Sequence, residues 1–106
     1  MKFFKEIERV KRKVPQWLNR PEQTNAKLLN LFMELSENGK KGVFRDMLED
    51  EFDTRYPEIR DYFMGHYNQM KYEARHNHCK VFDEDDENTV VLWYPVREFI
   101  IGLYTK

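Results

Sequence analysis

The sequence has little cysteine, glycine or serine, and each shortage excludes a class of protein. Cys79 is the single cysteine, which excludes an internal disulfide framework and a four-cysteine zinc site. The four glycines fit neither a phosphate-binding loop nor a dinucleotide fingerprint. The lone serine, Ser36, argues against disordered tails. No apolar run approaches the roughly 18 residues of a membrane span, and the charged N-terminus lacks the apolar stretch of a secretory signal. We therefore expect a cytoplasmic protein with a single domain, residues 1–106.

Neither sign of charge predominates, because 18 Lys and Arg stand against 19 Asp and Glu. This balance excludes a uniformly basic, histone-like binder. The charges are nevertheless segregated along the chain. Residues 1–20 carry a net charge of +5 and residues 65–80 of +2, whereas residues 21–64 and 81–106 each carry −4. Patches of one sign steer partners even when the whole molecule is nearly neutral.

Helical spacing of apolar residues predicts most of the fold. Helices are expected over residues 2–13, 25–37, 45–52 and 57–76, and a last helix is expected to open at Pro95. Pro15 should limit the first helix, because the residue before a proline avoids the α region. Met47 is expected to face inward, residues 53–56 to form a turn, and Gly65 to weaken the fourth helical segment, which is either one helix or two.

After residue 78 the periodicity changes from that of a helix to that of a strand. Residues 79–82 and 89–94 are rich in β-branched and aromatic side chains, and a charged loop, residues 83–88, separates them. Two strands around a polar loop predict a β-hairpin. The chain is therefore expected to be an α+β protein that is mostly helical.

From residue 25 the order of elements is helix, short extended stretch, helix, turn, helix, hairpin and helix. This order resembles a winged helix-turn-helix domain over about residues 24–104, with an extra N-terminal helix and with the last helix after the wing. Residues 1–20 would then be the basic amphipathic helix and its connection, and residues 21–106 the winged-helix-like core. The resemblance implies that the helix within residues 66–76 lies in the DNA major groove and that residues 79–94 form the wing.

Two sets of polar and basic side chains are the predicted contacts with double-stranded DNA. The helix before the wing offers amide and cationic groups that pair with base edges or phosphates, and the N-terminal helix offers phosphate contacts whose binding would depend strongly on salt. These residues are Lys5, Arg9, Arg12, Lys13, Asn68, Gln69, Lys71 and Arg75. The extra helix could instead pack in a homodimer.

Five consecutive acidic residues at the hairpin oppose contact with DNA. A carboxylate about 4 Å from a phosphate is repelled by about 1 kcal/mol even in bulk water. The alternative is a protein-interaction module that uses this acidic wing and surface aromatics to contact a basic partner, as an inhibitor or adaptor. The residues of the run are Asp83, Glu84, Asp85, Asp86 and Glu87.

Catalytic chemistry is hard to assemble from this sequence. His66, His76, His78 and Cys79 offer imidazole and thiolate ligands, and a metal-assisted hydrolase is the weakest of the three hypotheses. No second Cys/His pair completes a metal site elsewhere in the sequence. The leading hypothesis is a non-enzymatic, winged-helix DNA-binding protein, a transcriptional regulator or accessory recognition domain, with no cofactor, no metal and no membrane contact.

Overall fold

Helices make up most of the chain over residues 3–72 and 78–106, which are the residues described by the computed structural model. The helices are α1 (Phe4–Leu18), α2 (Thr24–Leu35), α3 (Arg45–Arg55), α4 (Phe63–Lys71) and α5 (Arg97–Tyr104), with short 3-10 helices at Pro57–Tyr62 and Tyr94–Val96. The strands are β1 (Val43–Phe44), β2 (Phe82–Glu84) and β3 (Thr89–Leu92). The predicted α+β class, mostly helical, is confirmed for these residues. None of the helices found there combines the length and the apolar character that crossing a membrane requires.

The three strands form one antiparallel sheet in the order β1-β3-β2. The hairpin predicted around the acidic loop is present, with Phe82 opposite Leu92. β1 comes from the stretch between α2 and α3 and pairs with the far strand of the hairpin, Val43 opposite Val90. The sheet therefore ties the beginning of α3 to the hairpin.

The core lies where the sheet packs against α2 and α4. Phe32 of α2 meets Phe82 of β2 edge to face, with ring centroids 5.0 Å apart. Tyr67 of α4 stacks on both Phe63 and Phe82, and all four rings are fully buried. Aromatic pairs in these geometries add to the stabilisation from area burial alone.

The prediction that Pro15 limits the first helix is wrong, because α1 continues through Pro15 to Leu18. A proline inside a helix costs about 3 kcal/mol. The apolar stripe of α1 nevertheless continues past the proline, since Val14 before it and Trp17 after it are both buried. Burial of two such side chains contributes about 3–6 kcal/mol, which is enough to offset the proline. The same burial places α1 against its own core.

Two further details of the helices differ from expectation. Residues 53–55 belong to α3 and not to a turn, and Met47 is half exposed because Leu48 and Phe52, four residues apart, take the inward face. The segment that follows divides at Tyr62, where a 3-10 helix gives way to α4. Gly65 lies inside α4 and not at the division, and the end of the predicted segment, residues 73–76, is outside the described residues.

Candidate interaction surfaces

The predicted reading helix presents fewer free polar groups than its sequence suggests. Asn68 is exposed and Gln69 is half-buried on α4. Lys71 is turned toward the protein, since its side chain is only 17% exposed and its Nζ lies 3.5 Å from Glu84 Oε1. Arg75 lies outside the described residues. Of the expected base contacts in the described part of α4, only Asn68 projects fully into solvent.

The basic residues of α1 divide into two groups. Lys5 and Arg12 are exposed and Lys13 is half-buried. Arg9 is held inside the fold, where one Nη donates to Glu6 and the other to the carbonyl oxygen of His78, 2.7 Å away. That bond brings α1 next to the chain that leads from α4 to β2. The two basic segments recognised in the sequence are therefore neighbours at this point.

The acidic run does not form a uniform patch, because strand alternation divides it. Phe82 faces the core, so Asp83 faces outward and Glu84 faces inward again. In the loop, one Asp85 carboxylate oxygen accepts hydrogen bonds from the backbone N–H groups of Glu87 and Thr89. The exposed hairpin tip consists of Asp85, Asp86, Glu87 and Asn88.

Glu84 is the centre of a buried polar cluster. Its side chain is 7% exposed and accepts a 2.6 Å hydrogen bond from the Tyr67 hydroxyl. Arg45 lies 3.3 Å away on the other carboxylate oxygen, and Lys71 completes the set. Burial, reinforced by the bond to Glu84, raises the pKa of Tyr67 well above its usual range. Glu84 therefore joins β2 to α3 and α4 and is not available to a partner.

An open groove of about 540 Å³ lies between α3 and the hairpin tip. Its two sides are joined by a 2.8 Å bond from the Arg45 backbone N–H to the Asn88 carbonyl oxygen. Phe44 and Met47 lie in it with 55% and 52% of their surfaces exposed. The complete lining is Phe44, Arg45, Asp46, Met47, Asp50, Glu51, Glu87 and Asn88. We call this feature the acidic groove, because four of the eight residues are carboxylates.

Negative charge is concentrated along the whole of α3. Glu49 lies on α3, and burial raises its pKa, with further contributions from Asp53, Asp46 and Asp50. The acidic interaction surface predicted from the sequence comprised only the hairpin and not this helix. The signal was present, because residues 45–55 contain five acidic and two basic side chains.

Among the described residues, His66 and His78 do not form an activated thiol–imidazole pair with Cys79. Cys79 is fully buried, and that burial raises its pKa to about 12, with the Glu6 carboxylate adding to the shift. His66 Nδ1 instead lies 2.6 Å from His78 Nε2. His76 is outside the described residues, and among those that are described no three His, Cys, Asp or Glu side chains are grouped as metal ligands.

The pair of imidazoles predicts that acid destabilises the fold. Burial lowers the pKa of His66, so the unfolded chain binds a proton at higher pH than the folded chain. We expect the free energy of unfolding to fall as the pH is lowered through about 6.5, the usual histidine pKa. Urea unfolding on both sides of that pH measures the effect, and His66→Gln should remove part of it. An unchanged pH dependence in the variant would assign the effect to other groups.

The described fold is an α+β unit whose helix, strand, helix, helix and hairpin close around one core. Comparison with protein-family models, with curated proteins and with solved structures found no match to this chain. Its function is therefore argued from the geometry of its surfaces.

Proposed function

We propose that this chain is a winged-helix-like interaction module that catalyses no reaction and binds a positively charged segment of a partner protein. The order α2-β1-α3-α4-β2-β3, with β1 paired to β3, supports the winged-helix-like description. The binding surface is the acidic groove with the exposed hairpin tip. Such a protein would act as an adaptor or inhibitor of the partner it captures.

The acidic groove is the observation that carries this proposal. Asp46 and Asp50 come from one side and Glu87 from the other, and no ion pair involves their side chains among the described residues. Converging carboxylates favour a cation and repel a phosphate backbone. Arg45 is a cation in the lining, but its guanidinium pairs with Glu84. The geometry therefore favours a basic protein over a nucleic acid at this surface.

The experiment compares a fluorescent lysine-rich peptide with a fluorescent DNA duplex. We expect the peptide to bind, with an affinity that falls as salt rises. The combined variant Asp46→Asn, Asp50→Asn, Glu87→Gln should weaken binding about tenfold, because each exposed ion pair contributes about 0.2–1 kcal/mol. Glu84 is left intact so that the fold is preserved.

The matched control is Glu98→Gln, since Glu98 lines a different groove. Unchanged affinity in this control, with loss in the triple variant, would locate binding at the acidic groove. The control removes one negative charge and the triple variant removes three. A loss of binding free energy in the control that is a third or more of the loss in the triple variant would therefore mean that only net charge matters, and would contradict the proposed surface.

Binding of double-stranded DNA remains the second candidate, and one contact favours it. The bond from Arg9 to the His78 carbonyl oxygen places basic α1 beside the chain that follows α4. If this face binds DNA, the double variant Lys5→Ala, Arg12→Ala should weaken duplex binding and reduce its salt dependence. Lys71 is excluded from this test because it pairs with Glu84. Equal binding of the duplex to the unmodified protein and to the double variant would contradict DNA binding at this face.

A further inference from the structure

The apolar residues of the acidic groove distinguish it from a surface that is merely charged. Phe44 follows inward-facing Val43 on a strand, so alternation turns its ring outward. Met47 precedes buried Leu48 on α3 and is turned away from the core. Both side chains are more than half exposed beside one another in the groove lining. Two large apolar groups in one concavity are typical of a contact site.

Carboxylates line the same groove as these apolar groups. Asp46 and Asp50 are four residues apart and therefore lie on one side of α3. Glu87 belongs to the hairpin tip, which meets the start of α3 through the bond between Arg45 and Asn88. Glu51 is also in the lining, although it lies 3.4 Å from Arg55 Nε. The groove lining therefore combines two exposed apolar side chains with four carboxylates.

We infer that the acidic groove binds a short partner segment in which one large apolar side chain is flanked by lysine or arginine. The apolar side chain contacts Phe44 and Met47, and the flanking cations pair with Asp46, Asp50 and Glu87. Methionine adapts its shape to different apolar groups, so the site accepts leucine, methionine or phenylalanine as the anchor. This inference rests on the proposed function and adds the anchor to it.

The volume fits this occupant. A groove of about 540 Å³ is within the range of sites that bury a compact ligand, which is roughly 300–1,000 Å³. One anchoring side chain with its neighbours is of that order, whereas an entire folded partner is not. The same charge complementarity disfavours an acidic segment or a nucleic acid, because neither offers cations to the three carboxylates.

The test uses two labelled peptides that differ at one position. The first is a short lysine-rich peptide with a central leucine, and the second has serine in place of that leucine. Fluorescence anisotropy gives both affinities for the unmodified protein and for the double variant Phe44→Ala, Met47→Ala. Both substituted residues are half exposed, so the variant should retain its fold, and circular dichroism checks this. Tyr94→Ala is the matched control, since Tyr94 is 86% exposed and lines another groove.

We expect the leucine peptide to bind about tenfold or more tightly than the serine peptide, since burial of a leucine side chain contributes about 1.5–3 kcal/mol. The double variant should abolish this preference and Tyr94→Ala should keep it. Amide shifts of the labelled protein should be confined to residues 44–51 and 87–88.

The possible failures are distinguishable. If both peptides bind equally well to the unmodified protein, the anchor is wrong while the proposed function stands. If neither peptide binds, the proposed function fails and the inference fails with it. A preference for leucine that survives in the double variant would place the anchor site elsewhere and overturn the inference.

Discussion

Replacing Glu84 with alanine is expected to lower the free energy of unfolding by about 3 kcal/mol, the lower end of the cost of breaking a buried ion pair from one side. The carboxylate is almost fully buried and holds the Tyr67 hydroxyl, Arg45 and Lys71. Its removal leaves a buried hydroxyl and two cations without an acceptor. The two cations are partly exposed and can recover some hydration, which keeps the cost from being larger.

Chemical denaturation measures this change, and Asp83→Ala is the matched control. Asp83 precedes Glu84 in the same strand, but its side chain is 57% exposed and lies 3.9 Å from Lys80. A surface substitution of this kind should change stability by no more than about 0.5 kcal/mol. If both variants were equally stable, the cluster around Glu84 would contribute nothing to folding.

The contrast between these neighbours shows why the acidic run was only partly understood from sequence. Composition identified five consecutive acidic residues, and a solvated charged loop was the reasonable interpretation. Alternation from Phe82 was the available signal, because it places Glu84 on the core face. Composition does not show which donors stabilise the buried Glu84 carboxylate, because Arg45, Tyr67 and Lys71 come from two other elements.

The exposure of Lys71, a cation of the same cluster, was also predicted incorrectly from the sequence. It was predicted to be a solvent-exposed group that faces away from Tyr67 and Met70, although it follows Tyr67 by four residues and so lies on the same side of α4. The structure turns it toward Glu84 through a tertiary contact between residues 13 positions apart. Local periodicity gives the direction of a side chain from its own helix, but not which neighbouring element covers it.

The type and order of the secondary-structure elements were predicted better than the residues at which they begin and end. The helix order, a short extended stretch after the second helix and the hairpin were expected from the sequence, and all three are present in the described residues. Pro15 misled the prediction because propensity is a local quantity, whereas burial of Val14 and Trp17 is a tertiary one. The pairing of β1 with β3, which creates the acidic groove, could not be inferred from either strand alone, since β1 has only two residues.

The acidic groove, like the β1–β3 pairing, depends on contacts between segments that are distant in the sequence. Each of its parts is visible in the sequence, but α3 and the hairpin tip are about forty residues apart along the chain. The β1–β3 pairing brings them together and leaves Phe44 and Met47 facing the tip. The helical periodicity instead predicted that Met47 lies in the core. One of the two apolar side chains that the proposed anchor contacts was therefore not recognised as exposed.

Glu6 is expected to be as important for α1 as Glu84 is for the hairpin. It is 7% exposed, and its two carboxylate oxygens accept hydrogen bonds from Arg9, 2.9 Å away, and from the backbone N–H of Lys80, 2.7 Å away. Glu6→Ala should lower the free energy of unfolding by about 2–3 kcal/mol, because a part-buried backbone donor loses its acceptor and Arg9 loses one of its hydrogen-bond partners. The matched control is Glu8→Ala, an exposed acidic residue of the same helix, which should be nearly neutral.

This substitution also separates the two candidate functions. Glu6 accepts a hydrogen bond from the backbone N–H of Lys80, just before β2, and pairs with Arg9, so loss of Glu6 should loosen α1 from the chain before β2. At a temperature where the variant is still folded, we expect binding of a lysine-rich peptide at the acidic groove to be unchanged, since the hydrogen bonds of Glu6 in the described residues go to Arg9 and Lys80 and not to the groove lining. DNA binding through α1 would instead weaken, because its cations would no longer be held beside the chain before β2. Loss of peptide binding in the folded variant would mean that α1 contributes to that site.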